Sequence, residues 1–147
     1  MLINHLAHLE IFGNHFDTFK TNLKINYYGF LNQEESLISL YNCADVMVVP
    51  SIQEAFGQTA SESLSCGLPV VAFDDTGVSD IVDHKINGYL AKPLNYEDLA
   101  CGIDWILNNS KYASLSTNAR KKAIETFDYS VVSEKYLSIY KSLLGSI

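Results

Sequence analysis

The residues best placed to do chemistry lie in one run, Val49-Pro50-Ser51-Ile52-Gln53-Glu54-Ala55-Phe56-Gly57-Gln58-Thr59-Ala60-Ser61-Glu62. An apolar stretch ends at Pro50, a loop follows, and a helix opens near Thr59. Gly57 has no Cβ, so the backbone there can approach a ligand closely. The amides of Gly57, Gln58 and Thr59 are expected to point out of the helix N-terminus, an arrangement that receives anions. Glu54 precedes that point and Glu62 lies one turn inside the helix. A carboxylate is a bidentate acceptor suited to vicinal hydroxyls. Amides for a diphosphate with a carboxylate on either side match a nucleotide sugar. Each residue also has a plainer reading. Thr59-Ala60-Ser61-Glu62 has the form of a capping box, in which Glu62 would only bond back to the helix start. Glu54 alone reads as a solvated loop acid, and Gly57 and Gly67 as turn and C-cap glycines.

The surrounding pattern alternates short β-rich runs with helical stretches. His8–Phe12 reads as a strand stopped by Gly13-Asn14, and Lys24–Tyr28 as a second strand ending at Gly29. Glu34–Asn42 suits a short amphipathic helix. Asp45–Pro50 is a nearly unbroken apolar run, as expected of a strand covered on both faces. Gln58–Cys66 reads as a helix, Pro69–Phe73 as a buried strand and Gly88–Ala91 as a short one. Three helices follow, over about residues 97–108, 111–126 and 131–144. Strands alternating with helices imply βαβ units and a parallel sheet with helices on both faces. The loop holding Glu54 then falls at a strand's carboxyl end, where open α/β sheets bind ligands.

Composition narrows the partners. Of the 147 residues 48% are hydrophobic, and the formal charge is −7, so polyanions such as nucleic acid and anionic membrane surfaces are disfavoured. No run is long and apolar enough to span a bilayer, and the start lacks the pattern of a signal peptide, which points to a cytoplasmic protein. Cys43, Cys66 and Cys101 are far apart in apolar contexts, so they read as buried free thiols. His5, His8, His15 and His84 read as surface or turn histidines. Asp74-Asp75 after a strand suggests a response-regulator switch, but the order of the remaining acids and bases is wrong for one.

Several runs together resemble a known family. Ser51-Ile52-Gln53-Glu54-Ala55-Phe56-Gly57, followed by Glu62-Ser63-Leu64-Ser65-Cys66-Gly67-Leu68-Pro69-Val70-Val71-Ala72, resembles the signature of the retaining glycosyltransferases of the GT-B fold (family 4, group 1), with Glu54 and Glu62 at its Glu-x7-Glu spacing. Leu9–Gly13, Tyr28-Gly29-Phe30, Leu40–Val46, Thr76–Val82 and Asn87–Leu90 resemble the family's flanking elements in order. The resemblance implies a Rossmann-like, doubly wound parallel sheet, the C-terminal half of a GT-B fold, with a helical C-terminal extension. It implies one donor-binding domain over 1–147 without the family's opening strand and helix, which bear an Arg and a Lys, and without its N-terminal acceptor domain.

By the same resemblance, Glu62 would bind the ribose, and Glu54 would contact the transferred sugar as the residue closest to catalysis. Phe56, Gly57, Gln58 and Thr59 would line the diphosphate and sugar, Phe30 and Leu31 the base, with Gly13 and Asn14 at its border. The function so implied is retaining transfer of a hexose from an NDP-sugar to a glycan or other acceptor hydroxyl, with no metal and no cofactor. The alternative is an inactive nucleotide-binding fragment or a subunit of a split enzyme. Val132, Tyr136, Ile139, Tyr140 and Leu143 form an apolar stripe on the last helix, for which a homodimer is expected.

Overall fold

A computed structural model describes residues 8–13 and 23–145. Five strands and five helices are assigned there: β1 (His8–Ile11), β2 (Lys24–Tyr27), α1 (Glu34–Cys43), β3 (Met47–Val49), α2 (Gln58–Ser65), β4 (Val70–Phe73), β5 (Gly88–Ala91), α3 (Tyr96–Leu107), α4 (Tyr112–Phe127) and α5 (Tyr129–Leu144). A single 3-10 turn covers Gly77–Asp80. The chain divides into two compact units, Met1–Ala44 and Asp45–Ile147.

In the first unit β1 and β2 pair in parallel, His8 opposite Lys24 through Ile11 opposite Tyr27. The pairing carries on past the strand ends, where the Gly13 amide donates to the Gly29 carbonyl at 2.8 Å. Gly29 takes a positive φ of 64°, which lets the chain leave β2 sharply. Helix α1 buries Leu40 and Tyr41, and the Tyr41 ring meets Phe12 edge-on at 6.0 Å.

The second unit is built on a parallel sheet in the order β3-β4-β5. Side chains alternate along a strand, and β4, wholly buried, shows the consequence on both faces. Val70 and Ala72 join Ala60 and Leu64 of α2 and Ala119 and Ala123 of α4 in one core. Val71 and Phe73 join Leu99 and Ile106 of α3 in another. Helices thus cover both faces, the doubly wound α/β arrangement that the alternating sequence predicts. Gly102 lets α3 come close to the sheet, since a Cβ there would meet the Tyr89 ring at 2.5 Å.

Two expectations need correction. β3 is not covered throughout: Val49 is buried but Met47 and Val48 are half-buried. Its neighbour on one side is β4, and it stands at the edge of the described sheet, whereas β4 occupies the middle. The cysteines are free thiols, but Cys43 and Cys101 are exposed and Cys66 half-buried. On α3 the buried positions are Leu99, Gly102 and Ile106, and residue 101 falls off that face. Burial pushes the Cys66 thiol up from its usual range, partly opposed by the Arg120 charge.

Candidate functional site

The β3–α2 connection carries most of the residues singled out by type and spacing. Gly57 is buried at φ 93°, in the left-handed region, and is the residue from which α2 starts. Its carbonyl accepts from the Ala60 and Ser61 amides at 3.0 and 3.1 Å. A Cβ on Gly57 would lie 2.8 Å from Val78 Cγ2, so glycine is required by space as well as by conformation. Among the described residues, the amides of Gly57, Gln58 and Thr59 donate to no carbonyl or side chain. They form an open helix N-terminus with the partial positive charge of its dipole.

This start overturns the capping-box reading. The N-cap is Gly57 and makes no side-chain cap bond, so Thr59 sits at the second helical position and Glu62 at the fifth. Glu62 is therefore too far along to bond back to the start. It is half-buried and shares a helix face with Gln58 at i, i+4 spacing. Ser61 turns its hydroxyl to the Gln58 carbonyl at 2.9 Å. At the other end Gly67 closes the helix at φ 74°, with Gly67 N–H to Leu64 O at 2.9 Å and Leu68 N–H to Ser63 O at 3.0 Å. The Arg120 guanidinium donates to the Ser65 carbonyl there. Gly67 is thus the left-handed glycine directly after the Cys66 C-cap, the helix stop its sequence context suggests.

Glu54 lies half-buried in the wall of an open cleft of about 950 Å3. The facing wall is the loop after β4, with Asp74, Asp75, Thr76, Gly77 and Ser79. The two loops are joined by one bond, from the Gly77 amide to the Glu54 carbonyl at 2.7 Å. A Cβ on Gly77 would meet the Ala55 carbonyl oxygen at 2.3 Å, so only glycine permits this contact. Gly77 and the Asp74–Ser79 loop were not among the site residues read from sequence. The available signal was the Thr76-Gly77 turn directly after a buried strand, at the carboxyl edge where ligands gather.

The remaining candidates are distributed as follows. The Phe56 ring packs edge-on against Phe127 of α4 at 5.5 Å, leaving its backbone, not its ring, beside the helix start. In the first unit Phe30 is 66% exposed after β2. Leu31 lines a groove of about 560 Å3 with Tyr28, Glu35, Ser39 and Cys43, and Phe30 is not part of its wall. Gly13 ends β1 at φ 128° and accepts at its carbonyl from the Tyr27 hydroxyl at 3.0 Å. Asn14, His5 and His15 lie outside the described residues. His8 is exposed, and His84 accepts from the Leu90 amide at Nδ1, 3.0 Å away, which gives it a turn role. Among the described residues no group of three or more His, Cys, Asp or Glu is arranged to hold a metal ion. None of the described helices is long and apolar enough to cross a membrane.

Comparison with known proteins bears on this geometry. Residues 8–122 match the family described as glycosyl transferases group 1. The chain belongs to that family. An uncharacterized glycosyltransferase of Methanocaldococcus jannaschii is 33% identical over 119 residues, covering 80% of this chain and 30% of that protein. Among solved structures, sucrose-phosphate synthase of Thermosynechococcus elongatus superposes with a TM-score of 0.74 at 30% identity, over 84% of this chain and 31% of the other. Anabaena HepE, solved in complex with UDP-glucose, gives 0.71 at 26% identity, over 81% and 32%. The chain thus spans about a third of the length of the relatives it matches. As a group 1 glycosyltransferase sequence it carries the GT-B type of Rossmann-like α/β fold.

Proposed function

We propose that this chain is the donor-binding part of a retaining, family 4 glycosyltransferase that transfers a hexose from a nucleoside diphosphate to an acceptor hydroxyl. The observation that carries the reading is the open start of α2. Three amides there lack partners among the described residues, Glu54 precedes them, and Glu62 follows on the same helix. The diphosphate lies on the Gly57, Gln58 and Thr59 amides, with the Phe56 backbone beside it. Glu62 accepts from the ribose hydroxyls, and Glu54 holds the transferred sugar from the adjoining cleft. Phe30 and Leu31, with Gly13 and Asn14 at the border, serve the base. In transfer the bond from the anomeric carbon to the diphosphate breaks, a bond to the acceptor oxygen forms, and the acceptor's proton passes to the departing diphosphate. Charge growing on the departing diphosphate is met by the helix N-terminus, without a metal or cofactor.

The chain acts as a single donor domain in the cytoplasm, and the acceptor is presented by a further domain. The relatives' greater length supports that division of labour. On this reading the chain alone binds nucleotide weakly and does not turn over. That outcome coincides with the second reading, a nucleotide-binding fragment or split-enzyme subunit. The test is calorimetry of UDP, GDP and ADP against the chain. Measurable binding by one of them, weakened in Glu62→Gln, supports the proposal, and no binding by any of the three overturns it.

A further inference from the structure

The charged residues of the cleft beside Glu54 are all of one sign. Three acidic residues, Glu54, Asp74 and Asp75, line it, and among the described residues the lining holds no Lys, Arg or His, its one side-chain amide being that of Gln53. The donors of the facing loop are already engaged. The Asp75 amide and the Ser79 hydroxyl both donate to Asp74 Oδ1 at 2.9 Å. The Thr76 hydroxyl donates to the Phe73 carbonyl at 3.4 Å, and the Gly77 amide to the Glu54 carbonyl at 2.7 Å. An anionic group entering here would meet like charge without a cation or a spare donor from that loop. Hydroxyl groups would meet acceptors.

We infer that the glycosyl group taken by this cleft carries no anionic substituent: it is a neutral sugar, not a uronic acid or a sugar phosphate. This rests on the donor-site reading of the preceding subsection. Asp74 and Asp75 act on selectivity through their charge, and each can be neutralised with little disturbance. Asparagine at 74 keeps an acceptor for the Asp75 amide and Ser79. Asparagine at 75 tolerates the left-handed φ of 66° found there.

The probes are the glucosyl and glucuronyl esters of whichever of UDP, GDP and ADP binds tightest, titrated calorimetrically into the chain. The glucuronyl ester is expected to bind about tenfold more weakly at low salt, with the gap shrinking as salt rises. The double variant Asp74→Asn, Asp75→Asn is expected to narrow the gap severalfold while affinity for the free diphosphate changes much less. Equal affinities of the two esters for the unmodified chain, or a gap that the double variant leaves unchanged, overturns the inference. If none of the three diphosphates binds, the donor-site reading falls and this inference falls with it, which separates the two failures.

Discussion

Helix α2 is eight residues long, has no side-chain cap, and contains two apolar residues, Ala60 and Leu64. Helix α5 is sixteen residues long, starts from Asp128 with its side chain bonded to the Ser130 amide, and bears a long apolar stripe. Local preference favours α5 on every count. Yet α2 is the helix that is packed, with Ala60, Ser63 and Leu64 buried, while α5 buries no residue among those described. Tyr136, Ile139, Tyr140 and Leu143 are each more than half exposed, and Val132 is half-buried. The contrast separates two sources of helical order. Contacts with the sheet and α4 hold α2 and make a side-chain cap unnecessary, which leaves its N-terminal amides open to a ligand. Local signals hold α5, and its surface is left for another body to cover.

The comparison can be broken by cutting equivalent side chains. Leu64→Ala is expected to cost about 3–4 kcal/mol, and Ile139→Ala less than about 1 kcal/mol, by denaturant unfolding. Similar costs at the two sites would show that α5 is integrated as firmly as α2. Next in size is Gly77→Ala, which drives a methyl into the Ala55 carbonyl. An expected loss of about 2–3 kcal/mol is accompanied by loss of nucleotide-sugar binding, because the Glu54 loop is displaced. A stable variant with unaltered binding would remove that loop from the donor site.

How far this was legible in sequence depends on what carried the signal. Every strand and helix was readable to within two or three residues, because each has an apolar period or a buried run bounded by Gly, Pro or Asn. At the start of α2 the sequence left two readings open, because Thr59 and Glu62 have the types and spacing of a capping box as well as of a donor site. The actual cap is Gly57 in a left-handed conformation, and a backbone angle leaves no mark in a side-chain pattern. The Gly77–Asp80 turn is too short to show a period. Its loop enters the cleft wall only because β3 and β4 are neighbours, a long-range fact. The exposure of Cys43 and Cys101 depends on helix facing, which an apolar neighbourhood does not give.

Smaller effects sharpen the functional side of the contrast. With Glu62 outside any cap, Glu62→Gln should weaken nucleotide binding by about 1.5–3 kcal/mol, the value of a charge-assisted bond, while shifting stability by less than about 1 kcal/mol. Unfolding and calorimetry on the same preparation separate the two. For α5, light scattering is expected to show a concentration-dependent dimer that Ile139→Lys abolishes. A strict monomer at high concentration would count against a second copy as the cover of its stripe. The smallest effect is at acid pH. Bonds from the Ser130 hydroxyl and amide hold the Asp128 carboxyl below the usual carboxylate range. Its contribution is complete above the unfolded value near 3.9 and is lost as pH falls through the lower folded value. The start of α5 should therefore fray below about pH 4, seen as lost helical circular dichroism that Asp128→Ala largely reproduces at neutral pH.

The bond from Gly77 to the Glu54 carbonyl gives the cleft a built-in reporter. A main-chain N–H held by one carbonyl across two loops exchanges with solvent when those loops part, so its exchange rate measures how often the Glu54 segment lets go of β4. Followed by NMR in deuterated water, that one amide would separate a Glu54 loop that waits in place from one that closes when a nucleotide sugar is added. In the first case its protection is the same with and without donor. In the second it rises with occupancy, by an amount set by the free energy that the sugar spends on closing the loop.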